Sequence, residues 1–251
     1  MQSFDLKGKV AIVTGCNTGL GQGMAIGLAR AGADIVGVGV TPAPETREQI
    51  EALGRKFHYI SADLMQQDGI DALIQEAVEV MGHIDILVNN AGIIRRQDLL
   101  EFGHKDWDDV ININQKTVFF LAQAAAKQFV KQGRGGKIIN IASMLSFQGG
   151  IRVPSYTASK SAVMGLTRAL ATELSQYNIN VNAIAPGYMA TNNTEALRAD
   201  PERSQTILER IPAGRWGTPD DLAGPAVFLA SAASDYVTGY TLAVDGGWLA
   251  R

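Results

Sequence analysis

The chain has 251 residues, enough for one large α/β domain or two small ones, and 46% hydrophobic against 19% charged residues suits a globular core. A net charge of −3 argues against a nucleic-acid binder that relies on a basic field, and no apolar run approaches the ~20 residues of a membrane span. The single cysteine, Cys16, excludes an internal disulfide, and MQSFDLKGKV lacks a signal peptide's apolar core, so a reducing, cytoplasmic location is expected.

Lys9 to Thr14 is a short apolar, β-branched run of the kind buried in a parallel sheet. Gly15-Cys16-Asn17-Thr18-Gly19-Leu20-Gly21 follows at once, and then a helical pattern from Met24 to Ala31. Strand, glycine turn and helix in that order allow a pyrophosphate to rest on a helix N-terminus, because absent side chains let backbone N–H groups approach. The spacing is G-x-x-x-G-x-G, not the more common G-x-G-x-x-G. Gly32 ends the helix, and Ile35 to Val40 makes a second buried strand. At the end of such a strand an acid would bond a ribose 2′-hydroxyl and an arginine would welcome a 2′-phosphate. The expected position here is Gly39, followed by Val40, Thr41 and Pro42, so neither group is present.

Glu45 to Leu53 reads as a helix and Phe57 to Ile60 as a third strand, ended by Ser61-Ala62-Asp63-Leu64, where Asp63 suits a helix cap. Ile70 to Met81 is amphipathic, with Ile70, Leu73, Ile74, Ala77 and Val78 on one face. Ile84 to Val88 is the fourth strand, running into Asn89-Asn90-Ala91-Gly92 and then Ile93-Ile94-Arg95-Arg96. A long helix is expected from Lys105 to Lys131, with Asp106, Asp108 and Asp109 at its positive end. Asn114 lies inside it, where an asparagine is either a functional group or a polar packing residue.

The stretch from Lys137 to Leu170 carries the clearest chemistry. Its apolar run, Ile138 to Ala142, ends on Ser143; Gly149 and Gly150 make a turn, and a helical pattern begins at Ser155. Tyr156 and Lys160 are then i and i+4 on one helix face. A free phenol ionises near pH ~10 and is too weak a base at neutral pH. A neighbouring ammonium would favour the phenolate, and Ser143 would offer its hydroxyl to the same reacting oxygen.

Ile179 to Ile184 is a sixth strand, broken at Pro186-Gly187 and followed by Tyr188-Met189-Ala190-Thr191. The polar segment from Asn192 to Trp216, helical over Thr194 to Arg210, reads as a substrate lid near residues 190–216. Pro219 opens a helix from Asp220 to Ala230, and Thr241 to Val244 is a seventh strand closed by Asp245-Gly246-Gly247. The tail, Trp248-Leu249-Ala250, packs either in a subunit interface or on its own core. Strands alternating with helices predict a single domain, residues 1–251, built as a doubly wound, seven-stranded parallel sheet of Rossmann type.

Thr14 with its glycine turn, Asn-Asn-Ala-Gly, the set Ser143, Tyr156 and Lys160, and Pro186-Gly187 occur in an order that resembles the short-chain dehydrogenase/reductase family from Thr14 to Gly247. The resemblance implies an oxidoreductase that interconverts a secondary alcohol and a ketone with a nicotinamide nucleotide. Its catalytic residues would be Asn114, Ser143, Tyr156 and Lys160, with Asn114 matched by its register from Trp107. The nucleotide would meet Gly15, Asn17, Thr18, Gly19, Leu20, Gly21, Asp63, Leu64, Asn90, Ala91, Gly92, Pro186, Gly187, Met189 and Thr191, besides Tyr156 and Lys160. No metal ligand set is expected, and a homotetramer is the family's common assembly. IINIASMLSFQGGIRVPSYTASKS, NAIAPGYMATNNT and AVDGGWLAR are similar to family members that act on sugar acids, with carrier-protein reductases as the alternative. A non-catalytic dinucleotide sensor would have no need of all four catalytic positions. NAD is the expected cofactor, because no basic residue lies in Cys16-Asn17-Thr18 or Gly39 to Thr41; Arg47 is the one nearby cation. A sugar-acid carboxylate would be met by Arg152, then Arg95, with Arg96 the third candidate, since a planar guanidinium holds a carboxylate through two bonds.

Overall fold

The computed structural model describes residues 2–251; Met1 lies outside the described residues. Seven parallel strands form one sheet: β1 (Val10–Thr14), β2 (Asp34–Gly39), β3 (Phe57–Ser61), β4 (Ile86–Asn89), β5 (Gly136–Ile141), β6 (Ile179–Pro186) and β7 (Thr241–Val244). Their order is β3-β2-β1-β4-β5-β6-β7. The chain winds outward from β1 to β3, then returns to place β4 on the other side of β1. That reversal opens a crevice beyond the carboxyl ends of β1 and β4, where α/β sheets bind ligands. The register across it pairs Val13 with Val88, so Gly15 and Asn90 emerge side by side.

The central strands are apolar on both faces because helices cover both. All five residues of β1 are buried. On one face α1 (Gly19–Arg30) and α9 (Ala223–Ala230) pack Met24, Leu28, Ala226 and Leu229 over Val13 and Ile35. On the other, α3 (Ile70–Met81) and α5 (Thr117–Gln132) set Leu73, Ile74, Leu121 and Phe129 against Ile12, Leu87 and Ile138. The remaining helices are α2 (Pro44–Ala52), α4 (His104–Ile111), α6 (Pro154–Leu174), α7 (Glu195–Ala199) and α8 (Pro201–Arg210).

The predicted long helix from Lys105 to Lys131 is not one regular helix. Between α4 and α5 a π turn spans Asn112–Lys116. Periodicity does not reveal such a turn, because the extra residue is accommodated by side chains from elsewhere in the fold. Here Asn112 is tied to Met65 O at 2.9 Å, and Asn114 to Ile93. The polar segment after β6 is helical as expected, divided into α7 and α8, with Asp200 capping α8 through Arg203 N at 3.0 Å and Pro201 at its first position. Among the described residues no helix is long and apolar enough to cross a membrane.

Candidate active site

The glycine turn is held open from behind. The Thr14 hydroxyl accepts from Asn90 N at 3.0 Å and Ala91 N at 2.9 Å, while Asn90 Nδ2 donates to Thr14 O at 2.8 Å and Gly15 O at 3.2 Å. These bonds lock the Asn-Asn-Ala-Gly turn against the end of β1. Gly15 and Gly19 have φ of +66° and +58°, a region that side chains disfavour. A Cβ on Gly21 would run into Gly15 O and Asn90 Nδ2. At the start of α1 Thr18 makes no side-chain cap and the first turn holds no acid, so the leading N–H groups stay available to an anion. This cradle fits a dinucleotide's pyrophosphate.

A cleft of about 1520 Å³ runs from that turn to α7 and α8. Gly15, Asn17, Thr18, Gly19, Leu20, Gly21, Asp63, Leu64, Asn90, Ala91, Gly92, Gly187 and Thr191 all line it, as do Gly39, Val40 and Thr41 at the end of β2. Pro186 and Met189 are buried behind its wall, and the Met189 sulfur lies against Gly217. Asp63 also accepts from Met65 N at 3.0 Å, a local turn bond compatible with a role toward the nucleotide. Arg47 does not reach the cleft: it bonds Glu51 and Phe57 O and lies 5.1 Å above the Phe57 ring.

At the other end, β5 stops at Ile141 and Ser143 caps a short turn, Met144–Ser146, accepting from Leu145 N at 3.1 Å. Ser146 ties this turn to α6 by donating to Lys160 O at 2.6 Å. Pro154 opens α6, and Tyr156 and Lys160 follow on its cleft face. Lys160 Nζ donates to Ile141 O at 2.6 Å and lies 5.6 Å from the centre of the Tyr156 ring. Burial depresses the Lys160 ammonium to about 8. Burial also raises the Tyr156 phenol above its ordinary value; the Ser143 hydroxyl and the charge of Arg96 oppose that rise. Desolvation dominates at Tyr156, and Lys160 spends its short contact on a main-chain carbonyl.

Asn114 is fully buried in the π turn. Its Oδ1 accepts from Ile93 N at 2.8 Å, and its Nδ2 donates to Ile93 O at 2.9 Å and to Ser159 Oγ at 3.3 Å. Asn114 thus joins the loop after β4 to the helix that carries Tyr156. Ser159, Ser146 and the Ile93 backbone were not legible as site residues, since only tertiary folding brings them to these partners.

The three expected arginines all line the cleft. Arg152, at φ +64°, is paired with Asp98 at 2.9 Å, and Arg95 with Asp106 at 3.4 Å and Asp109 at 3.7 Å. Arg96 bonds Asn193 O at 3.2 Å and has no carboxylate partner among the described residues. Arg210 was not a candidate from the sequence; its guanidinium lies 4.0 Å above the Trp248 ring, and both residues line the cleft. Its position at the end of α8 and the aromatic in the tail were visible, but not their meeting. The tail covers its own subunit: Trp248 is 4% exposed against Met144, Ile207 and Ile211. Among the described residues no cluster of His, Cys, Asp and Glu could hold a metal ion.

A family model described as enoyl-(acyl carrier protein) reductase matches residues 15–249. The 2-dehydro-3-deoxy-D-gluconate 5-dehydrogenase of Escherichia coli K12 is 71% identical over 251 residues, covering 100% of this chain and 99% of that protein. A crystal structure from Agrobacterium tumefaciens, provisionally described as a 2-deoxy-D-gluconate 3-dehydrogenase with bound NADP, superposes with TM-score 0.95 at 55% identity and full coverage of both chains. The gluconate 5-dehydrogenase of Burkholderia cenocepacia J2315, in complex with NADP and tartrate, gives TM-score 0.95 at 40% identity, covering 100% of this chain and 98% of that one.

Proposed function

The chain belongs to the short-chain dehydrogenase/reductase family, and from that premise we propose that it is a 2-dehydro-3-deoxy-D-gluconate 5-dehydrogenase of pectin and uronate breakdown. Membership makes it an NAD(P)-dependent oxidoreductase acting on CH–OH groups. The observation that carries the substrate is its full-length likeness to an enzyme of that name. A gluconate 5-dehydrogenase is the second reading, favoured by the Burkholderia relative. A carrier-protein reductase ranks below both, because its 2′-phosphorylated cofactor would find no cation at Gly39 to Thr41.

In the alcohol-to-ketone direction Tyr156 Oη takes the hydroxyl proton, and in the reverse direction it returns it. Ser143 orients the substrate oxygen and donates to the charge that develops there. Lys160, anchored on Ile141 O, supplies a buried positive charge beside the phenol and a contact for the nucleotide's ribose. Both amide hydrogens of Asn114 are spent on Ile93 O and Ser159 Oγ, so Asn114 accepts from a relay water rather than donating to it. When bound along the Gly15–Gly21 cradle, the nicotinamide nucleotide supplies the hydride acceptor or donor. The lid segment, with α7 and α8, excludes water from the reacting end.

The cofactor proposal is NAD(H). Cleft residues Gly39, Val40 and Thr41 carry no charge, and Arg47 is turned to Glu51 and Phe57. NADP(H) is the competing reading, from the nucleotide held by both crystal relatives. A cytoplasmic homotetramer completes the proposal, with exposed Trp107, Phe120 and Val130 offering apolar area for subunit contacts. Light scattering checks the assembly. A steady-state panel of sugar acids, polyols and β-ketoacyl thioesters, each with NAD(H) and NADP(H), tests the function. The expected optimum is 2-dehydro-3-deoxy-D-gluconate with NAD; a clear optimum on gluconate or on a thioester would replace the reading.

A further inference from the structure

We propose that Arg210, its guanidinium set over the indole of Trp248, recognises the substrate's carboxylate, and that Trp248 is its positioning residue. The inference rests on the sugar-acid reading above and names the group that would select an acid. Five arginines line the cleft, and they differ in what already neutralises them. Arg152 and Arg95 each hold a carboxylate of the protein, so a substrate anion would have to share them. Arg96 has none, but its charge reaches the Tyr156 phenol, which places it at the reacting end. In a substrate oxidised at C5 the C1 carboxylate lies at the far end of the chain. Arg203 and Arg210, both on α8, line the same cleft without a carboxylate partner among the described residues, and of the two Arg210 is the one set over an aromatic ring.

Arg210 has the properties of a prepared anion receptor. Its guanidinium carbon lies 4.0 Å from the centre of the Trp248 ring, a cation–π contact that restrains the fork, while the residue stays exposed. Among the described residues no carboxylate pairs with it, and its one polar contact is a long one, 3.5 Å to Gln148 Oε1. Stacking in advance of binding lowers the ordering cost of each bond to a carboxylate.

Trp248 is itself built into place. Asp245 accepts from Gly247 N and Leu249 N, both at 2.9 Å, and Gly246 and Gly247 take φ of +64° and +90° to turn the tail back over the cleft. Tyr188 meets the Trp248 ring edge-on at 4.8 Å. The indole is 4% exposed, yet its Nε1 has no acceptor. A buried donor without a partner, in a residue that lines the cleft, is what a pocket shows when the acceptor arrives with a ligand.

The test uses the full-length enzyme and two readouts. The first is KM and kcat for 2-dehydro-3-deoxy-D-gluconate. The second is inhibition by D-gluconate, measured against whichever alcohol the enzyme turns over, with D-sorbitol as the neutral counterpart. Arg210→Met is expected to weaken both acids by about tenfold or more, the scale of a lost charged hydrogen bond, with kcat, NADH binding and the response to sorbitol held close to those of the unaltered enzyme. Arg210→Lys should recover part of the loss, and Trp248→Phe should show a smaller loss of the same kind. Unaltered acid binding in Arg210→Met overturns the proposal, as does an equal loss for acid and polyol, or a loss found only in Arg203→Met, about two turns earlier on the same helix. If the sugar acid is not turned over but gluconate inhibition still depends on Arg210, the functional reading fails and the anion site stands.

Discussion

Replacing Lys160 by methionine removes an ammonium that is 5% exposed and makes one hydrogen bond among the described residues, to Ile141 O at 2.6 Å. Burial depresses this group from 10.5 to about 8 in the folded chain. Between those two values the unfolded chain binds more protons than the folded one, so folding stability rises with pH across that window. Below pH 8 both states are protonated and the folded state carries the full cost of a buried charge. From pH 7 to pH 10 the unaltered protein should therefore gain about 2–3 kcal/mol relative to Lys160→Met. The lost stem packing and the lost bond to Ile141 do not depend on pH, so they drop out of this difference. Urea unfolding of both proteins without nucleotide, at equal protein concentration and at the two pH values, measures it. A stability gap that stays constant with pH would refute the claim that Lys160 is buried as a strained cation. The same variant should also lose both turnover and nucleotide affinity.

Three further outcomes are expected. Gly21→Ala, which would gain about 1 kcal/mol in an ordinary helix, should instead cost about 1–3 kcal/mol and weaken NADH binding, because its Cβ meets Gly15 O and Asn90; calorimetry and NADH fluorescence check both. Because burial raises the Tyr156 phenol, alcohol oxidation should climb with pH through the alkaline range while ketone reduction persists at neutral pH; an oxidation rate already flat below pH 7 would contradict this. NAD should exceed NADP in kcat/KM by roughly tenfold or more, the scale of one uncompensated charge, and Arg47→Met should leave that ratio alone; a ratio that favours NADP and collapses in the variant would place Arg47 on the 2′-phosphate.

Local pattern carried much of the architecture into the sequence. The β1 run, the glycine turn and the α3 stripe are each written in consecutive residues, and they fold where the pattern puts them. Tyr156 and Lys160 were legible as a pair because a helix fixes i and i+4 without any help from the rest of the fold. What resisted reading depends on contacts between distant segments. The π turn at Asn112–Lys116 exists alongside bonds from Asn112 and Asn114 to Met65 and Ile93, which no helical periodicity encodes. The ion pairing of the arginines was equally hidden, since Asp98 and Asp106 reach Arg152 and Arg95 only after the loops fold. The phenol's upward shift is a burial effect, and burial is a property of the whole chain.

The central claim is that Tyr156 carries the proton for hydride transfer on a sugar acid. Tyr156→Phe removes one hydroxyl and keeps the ring in the cleft wall, so NADH affinity should stay near that of the unaltered enzyme. Turnover of 2-dehydro-3-deoxy-D-gluconate should fall by at least ~10²-fold, the lower end of general acid–base contributions. Turnover of that sugar acid by the Tyr156→Phe variant at an undiminished rate would contradict the account.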